Sequence, residues 1–279
     1  MKRIILPTDF SENAYNAIRY ALRLYEDEEC TFYLMNTYTP AIYQTEYVLH
    51  SPGQIGLGDI YQSESTDQLE QLQKSLQQEF KNPGHTIITH SAFNILVDEV
   101  LSMTDKEGAD LVIMGTQGAS GAKEIFLGTH TVHVIKKSKK PVIAIPADYQ
   151  YKVPASILFP TDYEIDYNKE EIGCFLKIAK KMKAKIHVLH VTTGFDLTEM
   201  QQANKSKLQS LLEGIDHRFH DVPSQEIIES INGFQKQNQV DLLVMIQNKH
   251  TFLERLFIEP IIKKIGFHVA VPFMVLPHK

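Results

Sequence analysis

Three short segments carry residue types suited to holding a phosphate-bearing ligand. One is Gly115-x2-Gly118-x9-Gly128-Thr129. Glycine lets the backbone come close to a ligand and adopt positive φ. Gly128 and Thr129 stand directly before an apolar-periodic segment that predicts a helix over Thr129–Lys137. Free N–H groups at such a helix start, and its dipole, favour an anion, and the Thr129 hydroxyl adds a donor. A second segment is Pro7-Thr8-Asp9. The Asp9 carboxylate only accepts hydrogen bonds, which suits a ribose hydroxyl, an adenine amine or a metal riding on phosphates. The third is Asn36-Thr37, whose amide and hydroxyl suit the edge of a base. Plainer readings stand beside these. Asp9 is equally suited to capping a helix, and spaced glycines with Gly121 among them also make an ordinary flexible loop. His130 and His133 read as surface histidines, and Lys123 as a solvated loop lysine rather than a phosphate ligand.

The surrounding pattern predicts the elements that bring these segments together. Arg3–Pro7, Phe32–Asn36, Thr86–His90, Leu111–Met114 and Pro141–Ile145 read as short apolar strands. Between them lie helical periods. The first, capped by Ser11, turns Ala14, Ala17, Ile18, Ala21, Leu22 and Tyr25 to one side. The second, with Ser65 and Gln68 as a capping box, turns Leu69, Leu72, Leu76 and Phe80. A third covers Ile95–Thr104. Apolar strands alternating with helices predict an α/β fold with a parallel sheet covered on both faces. In such sheets ligands bind at the carboxyl ends of the strands, where all three segments fall. The connection 38–64 is rich in turn formers and long enough to be functional or disordered.

The same order recurs. IILPTD at 4–9 returns as ILFPTD at 157–162, and residues 110–146 align without gaps on 241–277. Asp110, Leu111, Met114, Phe126, Pro141 and Pro146 meet Asp241, Leu242, Met245, Phe257, Pro272 and Pro277. The chain therefore reads as a tandem duplication, with domains over 1–147 and 153–279 and the joint near Ala147–Pro154. The second copy lacks the glycine pattern: Gly115 becomes Ile246, Gly118 becomes Lys249, Gly128 becomes Glu259 and Thr129 becomes Pro260. Asp162 survives. Glu259 places a negative charge where phosphate would lie, and Pro260 removes a backbone donor.

Bulk properties exclude several classes. The 279 residues suffice for two domains, 43 % are hydrophobic and 22 % charged, and the net charge is −6. Residues 1–147 hold 12 Lys and Arg against 18 Asp and Glu, and the rest hold 16 against 16, so neither half has the basic excess of a nucleic-acid binder. The basic group Lys136, Lys137, Lys139 and Lys140 falls at a predicted helix end, where cations are favourable. No stretch approaches a membrane span, and Lys2-Arg3 leads into too short an apolar run for an export signal. With only Cys30 and Cys174, a disulfide framework is not expected, and the location expected is cytoplasmic. No metal-ligand spacing and no catalytic group stands out. A Walker GxxxxGK[ST] loop, a kinase motif set and an SGGxDS loop are all missing.

GTQGASGAKEIFLGTHTVHVIKKSKKPVIAIP, together with PTDFSENA, closely resembles the universal stress protein family, as a tandem-domain member. The resemblance implies two Rossmann-like domains of the adenine nucleotide alpha hydrolase-like type, each with a five-stranded parallel sheet flanked by helices. It implies an adenine nucleotide, ATP, ADP or AMP, with or without Mg, in the N-terminal copy. Pro7, Thr8, Asp9, Asn36 and Thr37 would then hold adenine and ribose. Met114, Gly115 and Gly118 would line the ribose and phosphates, and Gly128, Thr129 and His130 would hold the phosphates, His130 through its backbone N–H. It also implies pairing of the two last strands, an intrachain pseudo-dimer, with a homodimer left open. The expected role is regulatory, in a stress response. A slow ATPase and a nucleotide-free scaffold using the second copy are the alternatives.

Overall fold

The computed structural model describes residues 1–38, 57–116, 127–192, 194–224, 226–247 and 270–278. The first half runs β1 (Lys2–Pro7), α1 (Glu12–Leu24), β2 (Cys30–Thr37), α2 (Leu57–Glu79), β3 (His85–Ala92), α3 (Leu96–Lys106), β4 (Leu111–Gly115), α4 (Thr129–Lys137) and β5 (Val142–Ile145). The second runs β6 (Ser156–Pro160), α5 (Lys169–Met182), β7 (Lys185–Thr192), α6 (Glu199–Leu211), β8 (His217–Pro223), α7 (Ile227–Gln237), β9 (Leu242–Gln247) and β10 (Phe273–Pro277). All strands join one sheet in the order β3-β2-β1-β4-β5-β10-β9-β6-β7-β8. Pairing is parallel within each half. Among the described residues the single antiparallel contact is β5 with β10, where Ile143 faces Met274, so the two expected last strands do meet.

Side chains alternate across the strands and build two cores. One layer takes Ile4, Leu6, Phe32, Leu34 and Ile113 of the first half with Ile157, Phe159, Ile186 and Val188 of the second, and is covered by α1, α2, α5 and α6. The opposite layer takes Ile5, Met35, Val112, Met114, Leu243 and Val275 under α3, α4 and α7. Each fully buried aliphatic side chain contributes roughly 1.5–3 kcal/mol. The predicted α1 face is buried in full, Ala14 through Tyr25. The aspartates that mark the repeat have the same structural task. Asp110 accepts from the Arg3 amide at 2.9 Å, and Asp241 from the amides of Ala155 and Ser156 at 3.0 Å. Each staples the start of one strand to its neighbour.

One expectation needs correction. Ser65 and Gln68 do not cap α2, which already begins at Leu57. Residues 60–64 are exposed, Ile60 and Tyr61 among them, so the apolar residues of these turns do not mark a buried face. Ser65 itself is buried and turned inward. Of the connection 38–64, residues 39–56 lie outside the described residues. The segment that joins the two halves packs against α1. Tyr149 and Tyr151 pack edge-on against Tyr20 at 6.2 and 5.3 Å, and Asn16 Nδ2 donates to the Tyr149 carbonyl at 2.8 Å. Lys181 of α5 reaches across to the Leu24 carbonyl at 3.1 Å and to Glu28 at 3.0 Å. Cys30 and Cys174 are both free thiols.

One pair of side chains makes the second half sensitive to acid. His187 Nδ1 and His220 Nε2 are 3.0 Å apart, and both rings lie edge-on to Phe234. Burial lowers both pKa values below the ordinary 6.5. Lys185 and Arg218 push the same way for both rings, while Asp216 opposes at His187 and Asp221 at His220. The fold therefore favours the neutral rings. Their contribution is complete above pH 6.5 and is lost as pH falls through the lowered folded values. The melting temperature of the wild type is expected to drop more between about pH 7 and pH 5 than that of His187→Gln/His220→Gln. Equal drops would contradict this.

Candidate functional site

Within the first half the strand order reverses between β1 and β4, which places a crevice between their carboxyl ends. The loop after β1 forms one side. Pro7 and Thr8 are buried, and the Thr8 amide donates to the Met35 carbonyl at 2.8 Å. Thr8 Oγ1 accepts from the Phe10 amide at 3.0 Å, and Phe10 sits in the left-handed region with φ 62°. Asp9 is exposed at the mouth. Its Oδ1 accepts from the Ser11 amide at 3.1 Å and hydroxyl at 2.6 Å, and Ser11 Oγ accepts from the Ala14 amide as the N-cap of α1. The cap is thus Ser11, with Asp9 bracing it.

The end of β2 is locked from below. Asn36 Nδ2 donates to the Thr8 carbonyl at 2.8 Å, and its Oδ1 accepts from Ser65 at 2.8 Å. Ser65 also lies 2.7 Å from Ser91. The Asn36 amide is therefore engaged at both ends, and Thr37 beside it is half-buried. Neither Ser65 nor Ser91 is recognisable from sequence in this role. Nothing in the local pattern distinguishes an inward serine on a polar helix from a capping one.

The other side of the crevice hangs from β4. Met114 is buried, and Gly115 has no room for a side chain. A Cβ there would stand 2.3 Å from Asn13 Oδ1. Asn13, buried on α1, donates from Nδ2 to the Ile145 carbonyl at 3.2 Å. The glycine is required first by this asparagine, which no sequence motif singles out. Thr131 Oγ1 donates to the Gly115 carbonyl at 2.9 Å, and the Gly128 amide donates to the Thr116 carbonyl. These two bonds set the start of α4 against the strand end. Gly128 is its N-cap without a side-chain cap, and Thr129 and His130 are exposed. The N–H groups of this first turn carry the partial positive charge of the helix end. Gly118, Gly121 and Lys123 lie outside the described residues. His133 is exposed, as expected of a surface histidine.

The second half repeats the framework and alters the contents. Thr161 donates its amide to Leu189 at 2.8 Å, and its hydroxyl accepts from the Tyr163 amide at 3.0 Å. Asp162 Oδ1 accepts from the Glu164 amide at 3.1 Å, and Tyr163 takes φ 58°. Pro-Thr-Asp and the residue after it therefore fold alike in both copies. Here, however, α6 is bonded onto the loop. Gln201 Nε2 donates to the Asp162 carbonyl at 3.0 Å and to Glu164 at 2.8 Å, and Asn204 Nδ2 to the Tyr163 carbonyl at 2.8 Å. Burial raises the pKa of Asp162, with bonds from backbone amides opposing. At the position of Asn36 stands His190, bonded to Asp221, which also pairs with Lys205. Ile246 replaces Gly115 and is buried. Lys249, Glu259 and Pro260 lie outside the described residues.

Comparison with known proteins gives a consistent result. The model of the universal stress protein family matches residues 1–146. Two relatives come from Methanocaldococcus jannaschii. Universal stress protein MJ0577 is 31 % identical over 158 residues, covering 52 % of this chain and 94 % of the relative. Universal stress protein MJ0531 is 26 % identical over 153 residues, covering 52 % and 81 %. A universal stress protein structure from Archaeoglobus fulgidus superposes with a TM-score of 0.71 over 99 % of this chain and 98 % of that one, at 17 % identity, a likeness of fold. Among the described residues no helix is long and apolar enough to cross a membrane.

Proposed function

Since the chain belongs to the universal stress protein family, we propose that it binds one adenine nucleotide per chain, ATP, ADP or AMP with or without Mg, and serves as a regulator in a stress response. The two tandem domains, 1–147 and 153–279, divide the work: the first holds the nucleotide and the second does not. The observation that carries this is the open, glycine-led helix start of the first crevice, set beside a helix-bonded loop in the second half. In the first, the glycine-led start of α4 has no side-chain cap, and Thr129 and His130 are exposed beside it. In the second, Gln201 and Asn204 of α6 are bonded onto the loop after β6. In the first crevice Pro7, Thr8, Asp9 and Thr37 face the sugar and base, Met114 and Gly115 form the floor, and Gly118, Gly128, Thr129 and His130 take the phosphates. Denaturing the purified protein and identifying released nucleotide by mass spectrometry tests the reading. Absence of any nucleotide, together with no binding of added ATP, ADP or AMP in calorimetry, overturns it.

Backbone amides and one hydroxyl position phosphates without supplying a base or a transition-state cation. ATP turnover is therefore expected below about 1 s⁻¹, the low end of ordinary enzymes. A faster rate that survives purification and is lost in Asp9→Ala would make the protein an enzyme.

A further inference from the structure

Helix α4 begins at the first-half crevice and ends against the second half. Its last residue is Lys137, shortly before Val142 opens β5. In the antiparallel pairing Val142 meets Val275 of β10, and Leu276 and Pro277 run on beside Ile246 and Gln247 of β9. This reversal brings the carboxyl end of β9 to the carboxyl end of α4. Met245 belongs to the core layer under α3, α4 and α7, and strand alternation puts Gln247 on that same face. Gln247 Nε2 donates to the Lys136 carbonyl at 3.1 Å.

That carbonyl is one of the last four of the helix, which have no partner within it. The amide that a longer helix would offer it, that of Lys140, donates to Ser138 Oγ instead at 3.1 Å. The second half therefore supplies a cap that α4 lacks. Such contacts matter to this helix. It has nine residues, of which only Thr131, Val134 and Ile135 are buried, and a helix this short does not hold by itself in water. Its start is fastened through Thr131 to Gly115 and through Gly128 to Thr116. In the aligned second copy Gln247 takes the place of Thr116, one residue after Ile246 has replaced Gly115.

We infer that Gln247 is a positioning residue for nucleotide binding: the second half steadies the phosphate-holding helix of the first from its opposite end. The inference rests on the nucleotide site proposed above. Gln247 lies roughly 12 Å along the helix from Gly128 and touches no nucleotide. It fixes the helix axis, and with it the aim of the first-turn N–H groups, whose hydrogen bonds weaken steeply off line. By linkage, a nucleotide held at the start of α4 favours the arrangement in which Gln247 is bonded, so the second half responds to occupancy of the first.

Gln247→Met removes the donor and keeps an unbranched side chain of similar length. Titration calorimetry on the full chain is expected to show ATP binding weakened about two- to tenfold. The loss should be smaller for AMP, whose single phosphate makes fewer contacts with the helix start. Hydrogen exchange followed by mass spectrometry should be faster in α4 and unchanged in β9 and β10. Wild-type protein that binds neither nucleotide removes the site itself, and the inference with it. Wild-type binding with unaltered affinity in Gln247→Met overturns the inference alone. So does a loss equal for ATP and AMP, or one accompanied by faster exchange in β9 and β10, since either is a loosening of the whole interface.

Discussion

Replacing Gly128 by Glu together with Thr129 by Pro is expected to abolish nucleotide binding to the whole chain while leaving it folded. The pair reproduces Glu259-Pro260, which the second copy carries at the aligned positions. Gly128 caps α4 with its backbone alone, and Thr129 is exposed at the first helical position. Proline is well accommodated there, so the helix survives. The change removes one N–H and the Thr129 hydroxyl and adds a carboxylate. Losing one hydrogen bond to a charged group costs about 1.5–3 kcal/mol, or one to two orders of magnitude in affinity. Repulsion between the carboxylate and a polyphosphate adds to this, since screening is weak in a partly buried crevice. Titration calorimetry should find no binding, with circular dichroism unchanged. Two equivalent sites in the wild type, or unaltered binding by the variant, would refute a single N-terminal site.

Gly115→Ala is expected to be among the most destabilising single-atom additions in the first half. Its Cβ would stand 2.3 Å from Asn13 Oδ1 and 2.7 Å from Asn13 Cγ. Asn13 cannot easily withdraw, because it is 7 % exposed and its amide donates to the Ile145 carbonyl. Overpacking of this kind costs about 1–3 kcal/mol, which lowers the melting temperature by several degrees. Asn13→Ala removes the obstacle at the cost of roughly 1 kcal/mol for its hydrogen bond. The double variant should therefore be more stable than the two single losses added together. Strict additivity in the double-mutant cycle would show that Gly115 is constrained by something other than Asn13. Nucleotide affinity should fall with Gly115→Ala as well, because Thr131 and Gly128 fasten α4 to the same strand end.

How far this chain is legible depends on the range of the interaction involved. Helix α4 runs over Thr129–Lys137, the residues its period predicts, because an apolar period and a glycine cap are local signals. Several strands extend one or two residues beyond their apolar runs, as at β2, which spans Cys30 to Thr37. There, pairing with β1 and β3 at Cys30 and Thr31, and with β3 alone at Thr37, continues the strand past its apolar stretch. The beginning of α2 is not legible, because residues 60–64, Ile60 and Tyr61 among them, are exposed and so mark no buried face.

The sequence by itself determined the α/β alternation, the recurrence of Pro-Thr-Asp and of the aligned 110–146 and 241–277 segments, and the lack of the glycine pattern in the latter. Those rest on residue identity and spacing, which survive without coordinates. Only the tertiary structure decided what each segment is bonded to. Asn36 is spent on Thr8 and Ser65, Gly115 yields its space to Asn13, and α6 is fastened over the second loop through Gln201 and Asn204. Each of these joins residues from different elements, brought together by packing of helices on the sheet. A side chain that has two local uses, such as Ser65, takes the one that satisfies a buried polar partner, because leaving that partner unbonded costs more than an unfilled cap at the surface.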